Sequence, residues 1–246
     1  MTIYLGDIHG AWKTIKSLID RYKLGDNEEV TYIIQVGDFG IGFNNKYDLQ
    51  TLEDLNKFCA TKNLILIACR GNHDSPYYFL GNHIYSNLKL VPDYTTMEID
   101  GKKHLFVGGA VSIDRRYRIN RDILNSHNGS SQKSWWENEV FVLDREKLKD
   151  ITGVDVVVSH TAPEWCYPDN RKGFGEFVDD FAYSDKELYA DLKKERDDMT
   201  EMFNILQSNG NWIKYHVYGH YHASEITMNG YCNHYLLNIN EFRELN

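Results

Sequence analysis

Leu64-Ile65-Leu66-Ile67-Ala68-Cys69-Arg70-Gly71-Asn72-His73-Asp74 is an apolar run that ends abruptly in glycine, amide, imidazole and carboxylate. The apolar part, Leu64–Ala68, is short, as expected of a strand buried on both faces. The polar part then falls at the strand's carboxyl end, where open α/β sheets place their ligand crevice. A glycine there lets the chain turn tightly as it leaves the sheet. Upstream, Thr2–Leu5 and residues 32–36 are two more apolar runs. Between those two, Trp12, Ile15, Leu18, Ile19 and Tyr22 recur at helical spacing. Residues 49–60 do the same through Leu52, Leu55 and Phe58. The order is βαβαβ, the pattern of a layered α/β sheet.

Downstream the pattern changes. Thr95–Ile99 and residues 104–107 flank Asp100-Gly101, a turn signal that predicts a hairpin. Residues 154–159 predict another buried strand, and Tyr215–Tyr218, residues 225–228 and residues 235–239 predict three more. Residues 184–207 predict a long charged helix, capped by Ser184 or Asp185, with Leu188, Leu192, Met199, Met202, Phe203 and Leu206 on its apolar side. Its opposite face is expected to be solvated. Residues 112–139 show little periodicity and predict a long irregular loop, either a plain solvated loop or one that shapes a pocket. Asp114, Arg115, Arg116, Arg118 and Arg121 give that loop charge, and Trp135 and Trp136 give it flat apolar surface. Residues 167–180 predict a second loop. No repeat, low-complexity tract or linker breaks the 246 residues, so a single domain over 1–246 is expected.

Hydrophobic residues make up 42% of the chain, enough for a sizeable core. The formal charge of −9 argues against nonspecific coating of nucleic acid, which needs clustered lysine and arginine. It suits carboxylates gathered around cations. Cys59, Cys69, Cys166 and Cys232 form no CxxC pair, which predicts free thiols and a reducing compartment. The first residues lack a basic segment and reach Asp7 too early for a signal peptide. No stretch approaches the ~18 apolar residues of a membrane span, so a cytoplasmic protein with no membrane partner is expected.

Five segments follow apolar strand candidates: Gly6-Asp7-Ile8-His9-Gly10, Gly37-Asp38, Gly71-Asn72-His73-Asp74, Ser159-His160 and Gly219-His220-Tyr221-His222. Carboxylate, imidazole and amide oxygen together suit hard-to-borderline divalent cations. Asp7 and His9 lie two apart, as do His220 and His222, so an extended chain would present each pair on one side. Asp38 stands alone, which suits a carboxylate bridging two cations. Each signal is ordinary by itself; five in order, each behind a strand, are not.

The succession D-x-H, GD, GNHD, H, G-H-x-H resembles the calcineurin-like metallophosphoesterase superfamily, from Asp7 to His222. The resemblance implies an α/β, or α+β, fold: a four-layer αββα sandwich of two packed mixed β-sheets with the site at the strands' carboxyl ends. It implies two divalent metal ions ~3.5–4 Å apart. Asp7, His9, Asp38 and His222 would hold one; Asp38, Asn72, His160 and His220 would hold the other. Manganese, iron, zinc, cobalt or nickel would satisfy these ligands, with manganese favoured in vitro. His73 falls on the family's non-ligand histidine near the leaving oxygen, and Asp74 on the carboxylate that orients it. Arg70 falls on the phosphate-binding arginine of the protein Ser/Thr phosphatases, with a salt bridge as its structural alternative. The chain departs from that branch at Phe39-Gly40-Ile41-Gly42, where no second phosphate arginine stands.

The implied activity is hydrolysis of phosphate monoesters or diesters by a metal-bridging hydroxide. The expected partner is a phosphorylated small molecule, nucleotide or phosphoprotein. A protein phosphatase, a metal-dependent nuclease and a noncatalytic interaction module are the competing readings. The charge counts against the nuclease. The complete ligand set counts against the noncatalytic module.

Overall fold

The computed structural model describes residues 1–43, 45–168 and 174–245. In chain order the elements are β1 (Thr2–Leu5), α1 (Trp12–Arg21), β2 (Thr31–Gln35), α2 (Asn45–Thr61), β3 (Leu64–Ala68), β4 (Leu88–Leu90), β5 (Thr95–Ile99), β6 (Lys102–Val107), α3 (Arg115–His127), α4 (Arg145–Leu148), β7 (Val156–Ser159), α5 (Phe174–Ala182), α6 (Leu188–Ser208), β8 (Tyr215–Tyr218), β9 (Glu225–Asn229), β10 (Cys232–Leu236) and β11 (Phe242–Arg243). One sheet has the order β11-β1-β2-β3-β4, all parallel except β11 at its edge. The other has the order β5-β6-β7-β8-β10-β9, parallel in the middle with antiparallel β5 and β9 at its edges.

Strand alternation builds three apolar layers. Leu5, Ile33 and Leu66 pack outward with Ile15 and Ile19 of α1 and Leu52 and Leu55 of α2. Their neighbours Tyr4, Ile34 and Ile67 point the other way, against Phe106, Val156, Val158 and Val217 of the second sheet. Leu105, Val107 and Val157 then pack on Met199, Met202, Phe203 and Leu206 of α6. Helix, sheet, sheet and helix therefore form four layers, the sandwich that the sequence motifs imply. Each fully buried aliphatic side chain contributes ~1.5–3 kcal/mol, so the two-faced strands supply much of the cohesion. Asp100 and Gly101 turn the β5–β6 hairpin with positive φ of 52° and 72°.

Three expectations need correction. Residues 112–139 are not a plain loop, for they contain α3. Arg118 is the buried residue of that helix, while Tyr117, Ile123 and Leu124 are exposed, so hydrophobic periodicity carries no signal. β10 begins three residues earlier than the strand expected at 235–239. α6 starts at Leu188 with Glu187, not Ser184 or Asp185, at its cap position and no side-chain cap there. The Asp185 carboxylate lies one step earlier, accepting the Glu187 N–H at 3.3 Å and held by Arg115. The loop expected at 167–180 falls partly outside the described residues and partly within α5. No disulfide joins the four cysteines, and no helix among the described residues is long and apolar enough to cross a membrane.

Candidate metal centre

The side chains singled out from sequence converge at one edge of the sandwich. Asp7 and His9 follow β1, Asp38 follows β2, and Asn72 and His73 follow β3; these are three adjacent parallel strands. His160 follows β7, and His220 and His222 follow β8, its parallel neighbour in the second sheet. Extended alternation does not bring them together, contrary to the two-apart reading. His9, Asp38, His220 and His222 have φ of 47°, 55°, 69° and 48°. Non-glycine residues rarely adopt that left-handed region, and it clusters at functional sites. His220 and His222 consequently diverge into different donor groups.

In the first group, one ligand atom each from Asp7, His9, Asp38 and His222 lies within 4.8 Å of the others. His9 Nε2 faces His222 Nε2 at 3.0 Å. Asp7 Oδ2 is 3.2 Å from the His222 nitrogen, and Asp38 Oδ2 is 3.6 Å from that of His9. The second group is Asp38, His160 and His220. Here His160 Nδ1–H donates to Val36 O at 2.9 Å, which leaves Nε2 facing Asp38 Oδ1 at 3.1 Å and Asn72 Oδ1 at 2.9 Å. Two oxygens and a nitrogen lone pair packed this closely require a cation or a proton among them. Burial opposes charge on His160, yet the Asp38 carboxylate beside it raises the imidazole pKa to about 9. Burial also opposes the Asp38 anion, but His160 and then His73 hold it well below the ordinary range. The site is built to keep positive charge against Asp38, and its donor chemistry fits two divalent cations sharing that carboxylate.

Glycines let the carboxylates seat against backbone. A Cβ on Gly71 would fall 2.2 Å from Asp38 Oδ1, and one on Gly219 would fall 2.1 Å from Asp7 Oδ1. The His73 N–H donates to Asp38 Oδ1 at 2.7 Å, and the His220 N–H donates to Asp7.

The calcineurin-like phosphoesterase family model matches residues 2–224. The chain belongs to this family. It is a metal-dependent hydrolase of phosphate esters. No curated protein sequence matches it. Among solved structures it is similar to a phosphopantetheinyl hydrolase from Mycobacterium tuberculosis, at 13% identity over 97% of this chain and 89% of that one, with a TM-score of 0.49. It is also similar to a predicted phosphoesterase from Streptococcus pneumoniae, at 13% identity over 97% and 71% of the chains, with a TM-score of 0.32.

In this phosphoesterase two site residues do something other than expected. Asp74 does not orient His73. Its oxygens accept backbone N–H groups from Phe39, Gly40, Ile41 and Gly71, so it ties the loop after β2 to the loop after β3. Burial, then the Asp38 charge, pushes its pKa up to about 6 against those donors. Arg70 is buried, and its guanidinium donates to Asp93 and to the carbonyls of Gly108, Asn138, Glu139 and Val140. The salt-bridge alternative describes this arrangement, in which both terminal nitrogens already have acceptors. His73 itself is largely buried, its ring edge-on to His9 with centroids 5.1 Å apart. Burial lowers its pKa to about 4, partly offset by Asp38.

Sequence reading named Arg118 only as part of a charged loop and missed what the groups behind the ligands do. Asn72 Nδ2 donates to Ser112 Oγ, and Arg118 donates to the same oxygen and to Asn72 O. Glu195 accepts from Val111 N at 2.6 Å and from Thr161 Oγ1 at 2.7 Å, and Thr161 meets the Tyr221 hydroxyl at 2.8 Å. One buried carboxylate thus joins the loops after β6, β7 and β8. Only its α6 position, on an otherwise apolar face, could have marked Glu195 in the sequence.

A third donor group, Cys166, His216 and His234, lies apart from these. Trp165 Nε1–H donates to His234 Nε2 at 3.2 Å, which places the His234 proton on Nδ1. That proton goes to His216 Nδ1 at 2.9 Å, and His216 Nε2–H goes to Ser159 Oγ, whose hydroxyl donates to Thr161 O. The chain of donors is complete without a cation and leaves His234 Nδ1 no lone pair for one. Burial holds both imidazoles neutral by lowering their pKa values.

Proposed function

We propose that Asp7, His9, Asp38 and His222 hold one divalent cation, that Asp38, Asn72, His160 and His220 hold a second, and that His73 serves the leaving oxygen of a phosphate ester. The observation that carries this reading is Asp38, whose Oδ1 faces His160 at 3.1 Å and whose Oδ2 faces His9 at 3.6 Å. Such a carboxylate belongs to both donor groups at once. Bound cations would supply a water of lowered pKa and neutralise phosphoryl oxygens. The chain's own residues do the rest. Asn72 and the imidazoles orient the centre, and the positive-φ turns hold them in place. His73, neutral in its buried setting, offers an N–H to the oxygen on which charge develops.

Manganese is the metal we favour in vitro, with iron, zinc, cobalt and nickel compatible with the ligand set. The substrate is a phosphorylated small molecule, nucleotide or phosphoprotein, met in the cytoplasm by a single metallophosphoesterase domain. The protein-phosphatase reading loses support because Arg70 is tied to Asp93 and backbone carbonyls.

The test is a panel of aryl monoesters, aryl diesters, nucleotides and phosphopeptides, with metal-free and manganese-loaded protein. Hydrolysis should need the metal, and Asp38→Asn should lower both bound metal and turnover by orders of magnitude. Wild-type turnover and metal content in Asp38→Asn would refute the assignment.

A further inference from the structure

Beside the metal centre lies a cavity of about 820 Å³ that the proposed chemistry does not use. Gly42 and Ser75 line it, and they belong to the loops that carry Asp38 and His73. The Ser75 N–H donates to Ile41 O at 2.8 Å, which fastens these loops together. Ser75 is two residues past His73, so their backbones lie within ~7 Å.

Aromatic rings form much of the lining. Phe43 meets Trp136 edge to face, with centroids 5.3 Å apart. Tyr78 stacks on His83 at 5.0 Å, with an interplanar angle of 20°. His83 Nε2 is buried and has no hydrogen-bond partner. Lys133 also lines the cavity, and among the described residues no carboxylate does, in a chain of net charge −9.

We propose that this cavity receives the nucleoside of a nucleotide substrate, with the phosphate ester reaching the metal centre across the shared loops. The inference rests on the phosphoesterase reading above and adds the leaving group to it. An alkyl chain would leave His83 Nε2 and Lys133 unanswered, and a bare sugar would not use four aromatic rings. A nucleobase offers flat faces to the rings and polar edges to the imidazole and the ammonium. The volume is within the ~300–1,000 Å³ of small-molecule sites.

Two measurements test it. In the first, manganese-loaded protein is assayed on a nucleoside monophosphate and on glycerol phosphate. The expected kcat/KM ratio favours the nucleotide by ~10-fold or more, and it should fall ~10-fold in Phe43→Leu and in Trp136→Ala, as loss of base stacking predicts. In the second, adenosine alone is titrated into metal-free protein by calorimetry, and His83→Asn and Phe43→Leu should weaken its binding by ~5-fold or more. Equal kcat/KM for the two esters, a ratio that the variants leave unmoved, or no adenosine binding would overturn the proposal. Adenosine binding that the variants abolish, in a protein that hydrolyses no phosphate ester, would sink the phosphoesterase reading and leave the cavity assignment standing.

Discussion

Asn72 Nδ2 donates to Ser112 Oγ at 2.8 Å, and that bond turns the amide oxygen toward His160. Without it the amide could rotate and present a donor where the second donor group needs an acceptor. Arg118 secures both ends of the arrangement through Ser112 Oγ and Asn72 O, and lies 3.4 Å from buried Glu139.

Ser112→Ala removes the acceptor that fixes the amide. Partners one step behind metal ligands are worth about 10–100-fold in metal affinity. We expect calorimetric titration with manganese to show one site weakened by that factor and the other unchanged. Two unaltered sites would mean that the amide does not serve a cation.

Asp74→Asn tests the tie between loops. The carboxylate accepts N–H groups from Phe39, Gly40, Ile41 and Gly71, and an amide nitrogen in place of one oxygen would point a donor at donors. Leaving buried N–H groups unsatisfied costs roughly 1–3 kcal/mol each. Urea unfolding should show a loss of at least ~2 kcal/mol, together with weaker manganese binding as Asp38 shifts. If Asp74 only oriented His73, catalysis would fall while stability stayed within error.

The difference between what was legible and what was not follows from chemistry. β1, β2 and β3 are buried on nearly every residue, so their apolar runs announce themselves, and Gly6, Gly37 and Gly71 mark where the chain leaves the sheet before their ligand segments; Ser159-His160 has no such glycine. Arg118 is illegible because a helix that buries an arginine has no apolar period. Asp74 is illegible for another reason: its partners are peptide nitrogens, which every residue but proline carries. Arg70 misled because a motif gives the position of a guanidinium but not its direction; Asp93 and the carbonyls of residues 138–140 decide that. The positive φ at His9 and His222 is likewise hidden, since histidine, though enriched there among non-glycine residues, adopts that region in only a small minority of its positions.

His73→Ala separates leaving-group chemistry from metal binding. A group that stabilises a leaving oxygen contributes about 10²–10⁴-fold, and less where that oxygen already carries charge well. Turnover of an alkyl phosphate should fall within that range, turnover of p-nitrophenyl phosphate should fall less, and manganese affinity should hold. Equal losses on both esters would remove His73 from the leaving-group side.

Glu195 supplies the pH test. Burial raises its carboxyl pKa to about 7 from the ordinary 4.5, against the Thr161 hydroxyl and the Val111 N–H. The unfolded chain therefore releases this proton near 4.5, whereas the fold keeps it to about 7. Between those values the folded state binds more protons, so raising the pH lowers stability, and above about 7 the full deficit persists. Glutamine copies the protonated acid, with an oxygen for the Val111 N–H and an amide N–H for Thr161 Oγ1, but it cannot ionise. In metal-free protein, wild type and Glu195→Gln should be about equally stable at low pH, near 4.5. The variant should lead by on the order of 3 kcal/mol by about pH 8. Urea denaturation across that range reads the difference directly. A gap that stays constant with pH would show that Glu195 is ionised in the fold throughout, and that the link between Val111 and Thr161 is made by the anion.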